Sequence, residues 1–193
     1  MTSRLNRDDI YHLHESGIHV PSRTIVFWDD VEAAPAAEFI RNLHLLDVLS
    51  RDPITILFST DGGDEHHGMA MYDAVRACRS RITIVCAGPV MSMGAIILQA
   101  ADHRAARPNA TIMAHDGTVA LEDTPRREAY RSVRFDEALC RRLDDILVER
   151  IREKHPKYNR SAFARESVRG MYLTAEEALA KGLLDEILEP DDG

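Results

Sequence analysis

From Ile82 to Ala101 twenty consecutive residues carry no charge, and the disposition of that stretch constrains everything else the chain can build. Its length is about that of a helix crossing a bilayer. Gly88-Pro89 interrupts it midway, with β-branched residues such as Ile82, Ile84 and Val85 before the break and helix formers such as Ala95 and Leu98 after it. The pattern predicts a buried strand over Ile82–Ala87, a turn over Gly88–Gly94 and a short apolar helix. It argues against a membrane span.

Three further segments repeat the strand signature. Arg23–Trp28 (RTIVFW) is rich in β-branched and aromatic residues, and Ile54–Phe58 (ITILF) is wholly apolar except for its threonine. Such a run is expected of a parallel strand covered on both faces. Thr111–Ala114 (TIMA) is a fourth. Helical spacing lies between them: Phe39, Ile40, Leu43, Leu46 and Leu49 within Ala36–Leu49, and Met69, Tyr72 and Val75/Ala77 within about Gly68–Arg79. Strand and helix alternating in this way predict an α/β domain with a largely parallel sheet.

The last third reads differently. Val133, Leu139, Leu143, Ile146/Leu147 and Ile151 form the apolar stripe of one long amphipathic helix from about Thr124 to His155, too long to pack only on a small sheet. It either projects to make a contact between subunits or breaks into two core helices. Thr174-Ala175-Glu176-Glu177 is a capping-box pattern, Gly182 is placed to stop the helix it starts, and Leu183–Leu188 closes the chain as a strand. With no repeat, linker or low-complexity tract, residues 1–193 are expected to form one domain, with 1–22 as a flexible or axial segment before the first strand.

Charge and cysteine content narrow the function. A formal charge of −8 disfavours a polyanion such as nucleic acid as partner. The arginines of 126–134 are interleaved with acids, as on a solvated helix face. Cys78, Cys86 and Cys140 are odd in number and without paired spacing, and Met1–Asp9 has no apolar core of a signal peptide, so a reducing cytoplasm is the expected setting. The histidines at 12, 14, 19, 66 and 67 follow no metal-ligand spacing, so neither a metal nor an organic cofactor is expected.

Two turns follow buried strands, where parallel sheets gather their working groups. Asp61-Gly62-Gly63 is one and Met91-Ser92-Met93-Gly94 the other. A serine between strand and helix can raise its hydroxyl beside exposed amides, and adjacent glycines let a backbone N–H approach a carbonyl closely. Each also has an ordinary reading, as a helix N-cap and as a plain turn. His115 ends the fourth strand, where it can converge with Ser92 and the glycines on one crevice.

These same segments carry a resemblance. RTIVFWDDV, STDGGDEHHGMAMYDAVR, VCAGPVMSMGAIILQAA with its Ser-Met-Gly-Ala, and PNATIMAHDG together resemble the Clp protease proteolytic subunit over Arg23–Ile187. The closing TAEEALAKGLLDEI is similar to the ending shared by the wider crotonase-like fold. The resemblance implies a ClpP-like ββα-repeat α/β fold with a protruding "handle" helix over about 124–155, and a serine endopeptidase. It makes Ser92 the nucleophile, His115 the general base, and the N–H groups of Gly63 and Met93 the oxyanion hole. It further implies heptameric rings paired as a tetradecamer, a ring ATPase as partner and unfolded polypeptides as substrate.

The departures from that family bear on activity. Counting back from Thr174, the family's triad aspartate falls on Gly170, and Glu166 or Asp116 is then the surrogate acid to consider. His115-Asp116-Gly117 replaces His-Gln-Pro, the stretch holding Val119, Leu121, Glu122 and Asp123 lacks the family's glycines, and Asp61 stands where proline precedes Gly-Gly. Two rivals follow: a subunit kept for assembly or gating with degenerate chemistry, and an acyl-CoA enzyme of the wider fold.

Overall fold

The computed structural model describes residues 7–117 and 125–189. The first six residues of the expected N-terminal segment, the stretch holding Val119, Leu121, Glu122 and Asp123, and Thr124 at the expected start of the long helix lie outside them. Helix α1 (Arg7–Ser16) and strand β1 (Ile18–His19) come first, so the described part of that segment is structured and joins the sheet edge. Then follow β2 (Thr24–Trp28), α2 (Ala33–Leu49), β3 (Ile54–Thr60), α3 (Glu65–Ala77) and β4 (Ile82–Met91). Next are α4 (Met93–Leu98), β5 (His103–Ala106), β6 (Thr111–Ala114), α5 (Arg126–Lys154), α6 (Arg160–Ser167), β7 (Met171–Thr174), α7 (Ala175–Lys181) and β8 (Glu186–Ile187).

The strands form one sheet in the order β1-β2-β3-β4-β5-β8, parallel from β2 onward, with β1 antiparallel at the edge. Strand β6 leaves this path: it pairs parallel with β4 and antiparallel with β7. The mixed α/β architecture with a largely parallel sheet is as the strand–helix alternation requires. Ile54, Ile56, Phe58, Ile82 and Ile84 are fully buried, each worth about 1.5–3 kcal/mol by removal from water.

Strand β4 corrects the expected break. The chain does not turn at Gly88-Pro89 but runs extended to Met91. What changes there is the partner. Through Cys86 the strand pairs with β5, and from Pro89 onward with β6. A residue without an N–H is tolerated where one ladder stops and the next begins. Strand β5 itself, with α6 and β7, was not foreseen, and the closing strand is only two residues long.

Helix α5 is continuous over 29 residues. Its C-terminal half buries Leu147, Val148 and Ile151, whereas Tyr130 and Phe135 in its first turns are 72% and 61% exposed. In α7, Thr174 and Glu177 form the expected reciprocal capping box, and Gly182 ends the helix at φ +92°. In α3 the buried face is Gly68, Met69, Met71 and Val75, and Ala77 is exposed.

Candidate active site

The partner switch of β4 brings the two sequence-selected side chains together. Because β4 and β6 are hydrogen-bonded neighbours with Met91 opposite Met113, the residues just beyond them leave the sheet side by side. The Ser92 N–H donates to the Met113 carbonyl at 2.8 Å, which holds the turn against β6. Ser92 Oγ and His115 Nε2 then lie 2.8 Å apart. Ser92 occupies the N-cap position of α4, yet its side chain caps nothing, which sets aside the ordinary reading of a serine there. Its backbone is at φ +52°, a left-handed conformation that costs a non-glycine residue about 1–3 kcal/mol and recurs at working sites.

The glycine turn approaches from β3. Gly62 and Gly63 have φ +107° and +143°, which favour glycine. A Cβ at Gly62 would lie 2.7 Å from Ser92 Cβ and 3.3 Å from Met93 N; one at Gly63 would lie 2.5 Å from the Val31 carbonyl oxygen. Gly62 is therefore what allows the loop to seat against the Ser92 turn, and Gly63 what allows it to lie against the Val31 backbone. Val31 donates to the Gly62 carbonyl and accepts from Asp64, and the Gly63 N–H has no backbone acceptor among the described residues. The Met93 N–H belongs to the first turn of α4, where helical geometry leaves amides without intrahelical acceptors. The two residues that carry these amides thus line one crevice with a hydroxyl bonded to an imidazole, a set suited to acyl transfer.

These groups open on a crevice of about 370 Å³, whose walls include Gly63, Ser92, Met93, His115 and residues of α3, α5 and α6. Sequence reasoning missed part of that wall: Glu65, Asp136, Cys140, Asp144 and Phe163 all line it. A signal was present on α5, where Asp136, Cys140, Asp144 and Leu147 recur at intervals of four, four and three along one face. Burial raises the Glu65 carboxyl above its ordinary range, and nearby Asp136 adds to the shift. Burial does the same for Asp144, with Asp116 adding. Cys140 is raised by burial first and then by Glu65, Asp116, Asp144 and Asp136, so it is no ready thiolate.

The acid for His115 is placed less favourably. Among the described residues no carboxylate is hydrogen-bonded to His115 Nδ1. Gly170 is not part of the crevice wall; it sits before β7 at φ +81°, and a Cβ there would press on the Tyr172 ring at 2.6 Å. Glu166 is occupied elsewhere, accepting from Tyr158 Oη at 2.9 Å and pairing with Lys181. Asp116 does line the crevice, whereas Asp61 is exposed and does not. All three cysteines are free. Among the described residues, no helix is long and apolar enough to cross a membrane.

A parallel sheet that delivers Ser92, His115 and a double-glycine turn to one crevice beside a long helix defines a narrow class, and comparison with known proteins agrees. The Clp protease family model matches residues 16–191. The ATP-dependent Clp protease proteolytic subunit of Deinococcus radiodurans is 34% identical over 173 residues, spanning 86% of this chain and 80% of that protein. The ATP-dependent Clp protease proteolytic subunit 2 of Pseudomonas aeruginosa is 29% identical over 171 residues, spanning 86% and 81%. Among solved structures, a mutant of ClpP1 from Listeria monocytogenes superposes with a TM-score of 0.75 at 25% identity, covering 90% of this chain and 95% of the other. This chain belongs to the Clp protease family.

Proposed function

We propose that the protein is a serine peptidase subunit that cleaves polypeptides at the Ser92–His115 site. The observation that carries this reading is the 2.8 Å contact between Ser92 Oγ and His115 Nε2 on the wall of the crevice. In the reaction, Ser92 Oγ attacks the peptide carbonyl carbon as its proton passes to His115 Nε2. The carbonyl oxygen, now negative, accepts from the Gly63 and Met93 amides. Collapse expels the amine, which takes the proton from His115 as the C–N bond breaks. Water, deprotonated by the same imidazole, then hydrolyses the Ser92 ester.

Among the described residues no acid is hydrogen-bonded to His115 as the partner that would fix its tautomer and stabilise its cation. Loss of that partner elsewhere lowers turnover by about 10⁴ while leaving residual catalysis. This favours a slow enzyme, and it keeps in view a second reading, a subunit retained for assembly or gating. Family membership and the exposed first turns of α5 support a ring-forming homo-oligomer, with α5 as the contact between rings and a ring ATPase as the feeder of unfolded chains.

A fluorophosphonate probe decides between an active and a degenerate site. It should label Ser92, and Ser92→Ala should abolish labelling without lowering the melting temperature of the folded protein. Labelling that survives the substitution would place the nucleophile elsewhere. No labelling of the native protein would leave the assembly role. Asp116→Asn reports on the surrogate acid: a fall in a measurable peptidase rate assigns Asp116 that role, and an unchanged rate removes Asp116 from it.

A further inference from the structure

The crevice carries a charge that the chemistry of a hydroxyl and an imidazole does not require. Glu65 at the start of α3, Asp116 just beyond β6, and Asp136 and Asp144 on α5 all line it. Among the described lining residues there is no lysine or arginine. The contrast along α5 is informative. Three of its outward acids are answered by cations, Glu137 by Arg141, Asp145 by Arg160 and Glu153 by Arg150, whereas the exposed Glu128 and Glu149 stand in open solvent. Among the described residues, Asp136 and Asp144 make no such ion pair, and neither do Glu65 and Asp116; Asp136 has only a long 3.5 Å contact from Ser132 Oγ.

The acids also lie close to the Ser92–His115 pair. A Cβ on Gly117, two residues past His115, would lie 2.9 Å from Glu65 Oε1, so that carboxylate rests against the chain that delivers the imidazole. The same wall also has apolar members, Ile96, Leu143, Leu147 and Phe163. Apolar surface beside clustered carboxylates matches one kind of side chain: a long aliphatic stem ending in a cation. Unpaired negative charge in a half-buried cleft attracts such a group and repels an acidic one.

We infer that this crevice selects peptides with lysine or arginine on the acyl side of the cleaved bond, the stem lying on Ile96, Leu147 and Phe163 and the cationic head among Glu65, Asp116, Asp136 and Asp144. The selectivity rests on the peptidase reading above, and it adds that Asp136 and Asp144 are specificity-determining residues. A neutral pocket discriminates among apolar side chains by their size; this one discriminates by charge.

The test uses the full-length protein and three fluorogenic peptides that differ only in having Lys, Leu or Glu before the cleaved bond, with a neutral fluorophosphonate as a separate measure of Ser92. The Lys peptide should exceed the Leu peptide in kcat/KM by about tenfold or more, with Glu the slowest. Raising the salt concentration should erode the Lys advantage and leave the Leu rate nearly flat. Asp136→Asn with Asp144→Asn should bring the Lys-to-Leu ratio towards one. If that variant does not fold, the native protein's ranking and salt dependence still decide. A Lys peptide cleaved no faster than the Leu peptide, or not at all, while Ser92 is labelled would overturn the selectivity and leave the peptidase reading standing. Absence of both labelling and cleavage would overturn the peptidase reading and the selectivity with it.

Discussion

The two halves of α5 share one sequence pattern and have opposite fates. From Leu147 onward the helix is a core element: Leu147, Val148 and Ile151 are buried, Arg150 Nη2 donates to the Gln99 carbonyl at 2.9 Å, and Lys154 Nζ donates to the Leu179 carbonyl at 2.9 Å. From Arg126 to Phe135 the same helix offers Tyr130 and Phe135 to solvent. Amphipathic spacing is therefore a statement about having a partner, and the partner differs between the halves. The rear half packs on its own chain. The front half leaves two large aromatics in the open, and these are the residues that the assembly proposed above would cover.

Ile151→Ala is the strongest challenge to the anchored half. It should cost about 2–5 kcal/mol by opening a cavity in the core, read as a lower denaturant midpoint with an unchanged slope. A loss below about 1 kcal/mol would mean the rear half is not anchored as described.

Asp185→Asn should rank next. Asp185 pairs with Arg104, which is 4% exposed and also donates to Gln99 Oε1 and the Gly182 carbonyl, so the pair braces the region on which the rear half rests. Removing one charge of a buried pair costs about 3 kcal/mol, less here because Asp185 is partly solvated. The pH dependence follows the same bond. Burial opposes ionisation of Asp185, but the Arg104 hydrogen bonds and charge outweigh it and hold its carboxyl below the ordinary range. A depressed carboxylate stabilises the fold above the unfolded value of about 4, and that share is lost as pH falls through the lower folded value. Acid unfolding of the native protein should show this loss, and Asp185→Asn should remove it.

Arg150→Ala should cost less, about 1 kcal/mol, through the bond to the Gln99 carbonyl. Smallest of all on subunit stability is Tyr130→Ser with Phe135→Ser, expected within about 0.5 kcal/mol in the isolated subunit. The same variant should shift sedimentation towards smaller species. If it melts the subunit and leaves assembly intact, the contrast between the halves is wrong.

The sequence was most legible where one physical cause dominated. Buried parallel strands announce themselves by unbroken apolar runs, so Ile54–Phe58 and Ile82–Ala87 were visible, and Thr174 with Glu177 gave their helix start through local hydrogen bonds. Strand β5 was hidden because His103-Arg104 reads as polar loop; Arg104 is buried only because Asp185, eighty-one residues on, neutralises it. Gly88-Pro89 misled because a local breaker was absorbed by a change of neighbouring strand, a tertiary event. The Ser92–His115 approach followed from both lying at strand ends. The acidic crevice wall did not, since it assembles from three separated segments whose facing is set only by packing.

The hydrogen bond from Ser92 to Met113 ties the reacting turn to the pairing of β4 with β6 rather than to a loop. The backbones that carry the two side chains cannot drift apart unless those strands separate, and β4 lies in the middle of the sheet. In amide hydrogen exchange the Ser92 N–H should therefore be among the slowest in the protein, released only by whole-molecule opening. Loss of probe labelling on heating should coincide with the unfolding transition instead of preceding it.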